Sequence, residues 1–309
     1  PAKPSFEIAN IIERKDKVIN QMQNGIKYLL DKNKVDVYEG TATVLGPSLF
    51  SPLAGAVSVS YEDEEKESDI LVNDFVVLAA GSKPAELPFM PFDGKVVLSS
   101  DDLMYMEDVP ENIAIVGGGV IGVEFATVLN AFGANVTIIE ASEHILPTED
   151  KDVAQAVHKS LTKSGVQIKT GVKLEAEGVD IKDDSVSLKI DDQVSVFGKV
   201  LVAIGRKANT EHLGLQNTKL KVENGVVEVN KFQQTKESHI YAIGDVTSSP
   251  QLAHVAIEEG LIAAEHITDN NPLVLNYNNV PRCVYTSPEV SSIGPTTEQL
   301  KAQNTKFKT

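Results

Sequence analysis

The chain has 309 residues, of which 42% are hydrophobic and 23% charged, a composition typical of a globular protein with about two domains. Its net charge of −16 repels a phosphate backbone and argues against a nucleic-acid-binding protein. A single cysteine, Cys283, excludes a disulfide within this chain, and the scattered histidines show no metal-site spacing. Because no signal pattern and no apolar run approaches the roughly 18 residues of a membrane helix, we expect a cytoplasmic protein.

Apolar residues recur at three- and four-residue steps over residues 7–30, which predicts a long amphipathic helix. The stripe comprises Ile8, Ile11, Ile12, Ile19, Met22, Ile26 and Leu29. We expect this stripe to pack against the core, and Ser5 to cap the helix. Strands are predicted within residues 35–45 and 57–61. The acidic run at 62–67 then indicates a hairpin tip or an exposed loop.

Four short runs of strand-forming residues each end in glycine. They are residues 75–81, 113–117, 200–205 and 240–244. This pattern is typical of buried parallel strands whose carboxyl ends must leave space for another molecule. Because ligands of open α/β sheets bind at those ends, four such strands indicate more than one nucleotide-sized ligand.

The second run leads into a G-x-G-x-x-G motif formed by Gly117, Gly119 and Gly122. In such a loop the first glycine permits a tight turn and the second lets the backbone approach a pyrophosphate. The third glycine lets the following helix pack closely on the strand. We expect the pyrophosphate to lie at the positive end of a helix that starts at Val120.

A carboxylate, Glu140, ends the next predicted strand 18 residues after Gly122. This position suits a side chain that accepts hydrogen bonds from the adenosine ribose hydroxyls, whereas a 2′-phosphate would need a cation. Residues 141–150 contain no lysine or arginine. The sequence therefore predicts NAD rather than NADP as the dinucleotide.

Taken together, these motifs resemble the pyridine nucleotide-disulfide oxidoreductases, and most closely their lipoamide dehydrogenases, over nearly the whole chain. Residues 78–84 resemble the junction motif Ala-Thr-Gly-x-x-Pro, with Ala80 in place of threonine. Residues 205–209 resemble Gly-Arg-x-Pro-Asn, with Ala208 in place of proline. Residues 240–245 resemble the segment in which an aspartate, here Asp245, binds the ribityl chain of FAD. The later residues 281–294 resemble the first strand of the family's interface domain, in which we expect Cys283 to be packed.

The resemblance implies an α/β fold in which a Rossmann-like NAD-binding domain is inserted in an FAD-binding domain, followed by the start of an α+β interface domain. It assigns residues 1–98 to the first FAD segment, 99–208 to the NAD domain, 209–275 to the returning FAD segment and 276–309 to the start of the interface domain. The residues it implies for NAD are Gly117, Gly119, Val120, Ile121, Gly122, Glu124, Glu140 and Gly205. Those it implies for FAD are Gly81, Arg206, Gly244, Asp245, Leu252, Ala253 and His254.

In the family, dihydrolipoamide reduces a disulfide, the dithiol reduces FAD, and FAD passes a hydride to NAD. The resemblance thus implies a parent enzyme of 2-oxo acid dehydrogenase complexes that is a homodimer and acts on dihydrolipoamide or a lipoyl domain. We expect this chain to be a fragment without the redox disulfide and the acid–base pair, and therefore without catalytic residues of its own. Three alternatives remain: another NADH-dependent flavoprotein such as an NADH oxidase or a ferredoxin reductase-like enzyme, a relative acting on glutathione or mercuric ion, and a non-catalytic NAD-binding module.

Overall fold

The computed structural model of the chain describes residues 6–49, 53–63 and 65–308, which form the following elements. The α-helices are α1 (Ile8–Lys32), α2 (Ser100–Leu103), α3 (Val120–Ala131), α4 (Lys151–Ser164), α5 (Ala253–Ile267) and α6 (Thr297–Ala302). The strands are β1 (Thr41–Val44), β2 (Val57–Ser60), β3 (Asp69–Leu71), β4 (Val76–Leu78), β5 (Ser82–Pro84), β6 (Val97–Leu98), β7 (Asn112–Val116), β8 (Asn135–Glu140), β9 (Gln167–Thr170), β10 (Val179–Ile181), β11 (Val186–Ile190), β12 (Gln193–Phe197), β13 (Lys199–Val202), β14 (Arg206–Ala208), β15 (Val222–Glu223), β16 (Val226–Val227), β17 (Ile240–Ala242), β18 (Pro281–Val284) and β19 (Val290–Ile293). Short 3-10 helices occupy Ala176–Gly178, Leu215–Asn217, Gly244–Val246 and Tyr277–Asn279.

The chain divides into two compact units, each assembled from separate stretches of sequence. Unit one contains Pro1–Met22, Pro84–Arg206 and Pro281–Thr309, and unit two contains Gln23–Lys83 and Lys207–Val280. Within the described residues, none of the helices combines the length and apolar character that a membrane crossing requires.

Unit one is built on a five-stranded parallel sheet with the strand order β6-β13-β7-β8-β9. Side chains of β7 alternate between its faces, because successive residues of a strand point to opposite sides. Ile113 and Ile115 pack in one core cluster with residues of α3 and α4. Ala114 and Val116 pack on the other side against β11 and β12 of the antiparallel sheet β10-β11-β12. Coverage on both faces explains why these strands form continuous apolar runs.

Unit two contains the antiparallel sheet β1-β2-β3 and the parallel pair of β4 and β17. Its core cluster consists of Val44, Val76, Leu78, Leu215, Val227, Ile240, Ala242 and Val246. Because β4 and β17 run parallel, their carboxyl ends lie at the same edge of the sheet. Gly81 and Gly244 follow these ends, so the two segments that resemble flavin-binding motifs meet there.

The four glycine-terminated runs form the parallel strands β4, β7, β13 and β17, as predicted. The acidic run forms the exposed loop between β2 and β3, although Glu64 lies outside the described residues. The strand expected within residues 35–45 is shorter than predicted. It starts at Thr41, because only Thr41–Val44 pairs with β2, and residues 35–39 join no strand.

The predicted first helix is confirmed as α1, but the prediction that its apolar stripe packs against the core is wrong. No described side chain of α1 is buried. Met22, Ile26 and Leu29 are exposed by 65%, 59% and 55%, and the other members of the stripe, Ile8, Ile11, Ile12 and Ile19, are only half-buried. Hydrophobic periodicity defines a face of a helix, whereas burial depends on whether other elements cover that face. The proposed cap Ser5 lies outside the described residues.

The last elements of unit one are the antiparallel hairpin of β18 and β19 and the short helix α6. Cys283 lies in β18, as expected, but its side chain is exposed and not packed. The neighbouring Val284 is buried in the same core cluster as α3. The alternation of a strand therefore places Cys283 on the opposite, solvent-facing side of β18.

Candidate functional site

The glycine loop between β7 and α3 has the geometry of a dinucleotide-binding turn. Gly117 has φ +108°, a left-handed conformation that favours glycine, and its N–H donates to the Ile139 carbonyl at 2.8 Å. A methyl group on Gly117 would overlap the carbonyl oxygen of Ala203, and one on Gly122 would overlap that of Gly117. The first and third glycines are therefore required by the protein's own packing.

Gly119 differs from both of these positions, because a methyl group there would meet no atom within 4 Å. It caps α3 with an extended backbone and without a side-chain hydrogen bond. The first N–H groups of an α-helix have no carbonyl partner within the helix, and they carry its positive partial charge. Open space beside Gly119 and the first-turn amides of Val120 and Ile121 thus form a surface that suits a pyrophosphate.

Glu140 ends β8 beside this loop and is only 8% exposed. Its Oε2 accepts the Gly118 N–H at 2.6 Å, and its Oε1 accepts the Ser142 N–H at 2.6 Å. The carboxylate therefore holds the glycine loop in place. Each carboxylate oxygen has two lone pairs, so both oxygens keep capacity for a ribose hydroxyl.

Glu124 lies in the first turns of α3 and is half-buried. Its Oε1 accepts the backbone N–H of Tyr285 at 2.8 Å, which joins the glycine-loop helix to the segment after β18. Its assignment to the nicotinamide carboxamide remains a prediction. Gly205, which follows β13, has φ +124°, and an added methyl group there would meet no atom within 4 Å.

In unit two, the segments that resemble flavin-binding motifs converge around the ends of β4 and β17. The Ser82 hydroxyl donates to Asp245 Oδ2 at 2.6 Å. Asn209 donates its backbone N–H to the Gly81 carbonyl at 2.9 Å and its side-chain amide to the Ala80 carbonyl at 3.1 Å. Three stretches that are distant in sequence thereby form one cluster. An added methyl group on Gly81 would meet no atom within 4 Å.

The remaining residues assigned to FAD occupy the start of α5 and the beginning of β14. Leu252 is the extended N-cap of α5, and Ala253 and His254 are exposed in its first turn. A helix therefore starts at Ala253, as the sequence predicted, and its first turn carries the positive end of the helix dipole. Arg206 is half-buried at the first position of β14.

Sequence reasoning quoted the segments that contain Ser82, Asn209 and Glu259 but did not predict how these residues support the flavin-type cluster. Ser82 and Asn209 fix the backbone and side chains of the flavin-type motifs, and fully buried Glu259 accepts the Gly244 N–H at 2.6 Å. A signal for Glu259 was present in the sequence, because it occupies an apolar-face position of α5. Charged residues are almost never fully buried unless they are paired.

A groove of about 760 Å³ lies elsewhere in unit two. Its lining mixes apolar side chains such as Ile26, Leu30 and Val37 with charged ones such as Lys66 and Asp69. No glycine turn and no predicted site residue contributes to it. Size alone therefore does not identify the functional site of this protein.

Comparison with known proteins agrees with this geometry. The sequence model of the family described as pyridine nucleotide-disulphide oxidoreductase matches residues 2–260. The dihydrolipoyl dehydrogenase of Bacillus subtilis is 45% identical over 302 residues, with 96% of this chain and 64% of the relative covered. The dihydrolipoyl dehydrogenase of Trypanosoma brucei brucei is 34% identical over 316 residues, with 98% and 63% covered. The chain thus spans 64% of the length of the first of these relatives.

Solved structures give the same relationship. LpdA from Mycobacterium tuberculosis has a TM-score of 0.87 at 25% identity, with 97% of this chain and 65% of that chain covered. The HOCl-induced flavoprotein disulfide reductase RclA from Escherichia coli has a TM-score of 0.81 at 26% identity, with 96% and 66% covered. Since the family match includes the glycine loop, Glu140 and the Gly244–Asp245 segment, this chain belongs to the pyridine nucleotide-disulphide oxidoreductase family.

Proposed function

We propose that the chain is the NAD-binding and partial FAD-binding part of a dihydrolipoyl dehydrogenase. The observation that carries this proposal is the glycine loop, in which two glycines are required by packing while Gly119 leaves open space at the start of α3. That arrangement suits the pyrophosphate of a dinucleotide. The curated relatives named dihydrolipoyl dehydrogenase support the choice of reaction.

The proposal assigns NAD to unit one and FAD to the cluster in unit two. In unit one, the glycine loop and α3 bind the pyrophosphate, Glu140 accepts from the ribose, and Glu124 and Gly205 lie toward the nicotinamide. In unit two, Asp245 accepts from hydroxyls of the flavin nucleotide, and the first turn of α5 stabilises negative charge. When bound, the two cofactors supply hydride and electron transfer, and the protein holds and orients them.

The whole enzyme is proposed to oxidise dihydrolipoamide through a disulfide, FAD and NAD, within 2-oxo acid dehydrogenase complexes in the cytoplasm. Its proposed partners are a lipoyl domain or free dihydrolipoamide and a second copy in a homodimer. The four segments 1–98, 99–208, 209–275 and 276–309 are the proposed domain divisions. Electron transfer from dihydrolipoamide to a protein disulfide requires two cysteines, and this sequence contains one.

Cofactor binding by the purified chain tests the proposal. We expect titration calorimetry to give one NAD site, with NADP binding at least tenfold more weakly, and flavin absorbance to report one FAD per chain. Binding of NAD without FAD would favour a non-catalytic nucleotide-binding module. Binding of neither cofactor would contradict the proposed sites.

A further inference from the structure

Helix α5 carries a carboxylate where its amphipathic pattern calls for an apolar residue. The buried residues of the helix are Val255, Glu259, Ile262 and Ala263, which lie on one face at helical spacing. Glu259 is 0% exposed. Burial of a charged carboxylate is costly unless hydrogen bonds compensate for the lost water, so its partners reveal why it is there.

Both oxygens of Glu259 have partners within unit two. Oε2 accepts the N–H of Gly244 at 2.6 Å, and Oε1 accepts the hydroxyl of Tyr277 at 2.7 Å. The Tyr277 oxygen in turn accepts from the Gln233 side-chain amide at 3.2 Å. Tyr277 is 39% exposed overall, but partial desolvation of its hydroxyl and then the Glu259 bond raise the pKa of Tyr277 to about 12. The phenol therefore keeps its proton and remains a donor to the carboxylate.

The bonded glycine is the turning point of the flavin-type motif. Gly244 follows β17 with φ +67°, and the next residue is Asp245. The helix also approaches this turn directly, since a methyl group on Gly244 would lie 3.0 Å from the Ala256 side chain. The orientation of the Gly244 peptide sets the backbone position from which the Asp245 side chain extends, while the Ser82 hydroxyl contacts the carboxylate itself.

We propose that Glu259 is the positioning residue of the flavin-binding turn, and that Tyr277 and Gln233 hold its carboxylate in the required orientation. The inference rests on the assignment of Asp245 to FAD under the proposed function. Glu259 contacts no part of FAD in this scheme. It acts through the Gly244 N–H, and α5 thereby contributes to flavin binding from its buried face as well as from its first turn.

Variants at the two ends of this network test the proposal in the full 309-residue chain. Glu259→Ala removes both acceptors, and we expect it to weaken FAD binding by about 10- to 100-fold, the range for a lost hydrogen bond to a charged group. Glu259→Gln keeps an acceptor for Gly244 and should recover most of that loss. Tyr277→Phe should weaken FAD by less than Glu259→Ala. The neighbouring exposed Glu258 provides the matched control, and Glu258→Ala should bind FAD as the parent does.

Two further measurements separate positioning from general destabilisation. NAD affinity reports on unit one and should stay unchanged in each variant. Hydrogen exchange of the peptide containing Gly244 should be faster in Glu259→Ala and unchanged in Glu258→Ala. A folded Glu259→Ala chain with parental FAD affinity and parental exchange at Gly244 would overturn the proposal. If the parent chain itself fails to bind FAD, the flavin part of the proposed function fails, and the exchange measurement alone decides whether Glu259 holds the turn.

Discussion

At the scale of single residues, the three glycines of the G-x-G-x-x-G motif are in different environments. A methyl group on Gly117 or Gly122 would overlap a backbone carbonyl oxygen of the protein itself. Gly119 could carry one without any contact in the chain. Sequence spacing predicted all three positions, and the folded structure separates two glycines that its own packing requires from one that it does not.

This distinction gives a paired prediction. Gly119→Ala should leave the melting temperature unchanged or slightly higher, because its φ of −72° suits alanine and alanine restricts the unfolded chain. It should weaken NAD binding at least tenfold, since the methyl group occupies the space left for the pyrophosphate. Gly122→Ala should instead destabilise the fold by about 1–3 kcal/mol through overpacking. Calorimetric melting and NAD titration of both variants test these two predictions. Full NAD affinity in Gly119→Ala would show that the pyrophosphate does not bind at this loop.

Glu140 supports a second prediction at this scale. Glu140→Ala should weaken NAD binding by about 10- to 100-fold, because the ribose loses an acceptor and the Gly118 N–H loses its anchor. NADP binding should fall much less, since its 2′-phosphate gains nothing from the carboxylate. Titration of both nucleotides tests this, with the nearby exposed Glu143→Ala as the control. Equal losses for NAD and NADP would show that Glu140 only holds the loop.

At the scale of elements, buried strands and the glycine-loop helix were predictable because their signals are local. The runs that form β7 and β13 are apolar throughout and end in glycine, and α3 ends before Gly133, whose φ is +99°. Burial of α1 and of Cys283 was predicted wrongly for one physical reason. Periodicity within an element identifies a face, but coverage of that face depends on residues far away in sequence.

The turn that leads into β6 gives a prediction about pH. Partial desolvation raises the pKa of Asp93, but hydrogen bonds from the backbone N–H groups of Lys95, Val97 and Val96 outweigh it and lower the pKa below its ordinary value. A carboxyl group with a lowered folded-state pKa contributes stability above its unfolded pKa, and that contribution disappears as pH falls through the folded value. Asp93→Asn should therefore lower the melting temperature at neutral pH.

The effect should be small, about 1 kcal/mol or less, because Asp93 is exposed and partly screened by solvent. The difference between the parent and Asp93→Asn should shrink as pH falls through the lowered pKa of Asp93, because the carboxyl group then becomes neutral like the amide. Melting curves from pH 7 to pH 2 measure this directly. A difference that persists at the lowest pH would mean that the charge of Asp93 does not stabilise the turn.

At the scale of the whole molecule, each unit is assembled from separate stretches of sequence, and the two stretches of unit two are more than a hundred residues apart. Unit two takes Gln23–Lys83 and Lys207–Val280, so its flavin-type cluster joins Ser82 to Asp245 only when the chain has folded back. The motifs were recognisable one by one, and their resemblance to a known family supplied the assembly. Without that resemblance, the sequence alone predicts one dinucleotide-binding loop and more than one nucleotide-sized ligand. It does not predict the contact of Glu259 with Gly244, because that contact depends on how α5 packs.

The number of cysteines in the whole chain limits which reaction step it can catalyse. Passing electrons from a dihydrolipoamide requires a protein dithiol that closes to a disulfide, and Cys283 is the one cysteine in the sequence. We therefore expect the 309-residue chain, supplied with FAD and NAD, to form no NADH from dihydrolipoamide. The dihydrolipoyl dehydrogenase of Bacillus subtilis, assayed in parallel by NADH absorbance, provides the positive control.

The Cys283→Ser variant makes this assay decisive, because Cys283 is exposed and can be replaced without opening a cavity in the core. Both chains should show the same absence of turnover and the same cofactor affinities. Turnover that the serine variant abolishes would give Cys283 a role in thiol exchange. Turnover that survives the substitution would show that electrons reach NAD without any protein thiol, and the reaction assigned to the whole enzyme would have to be revised.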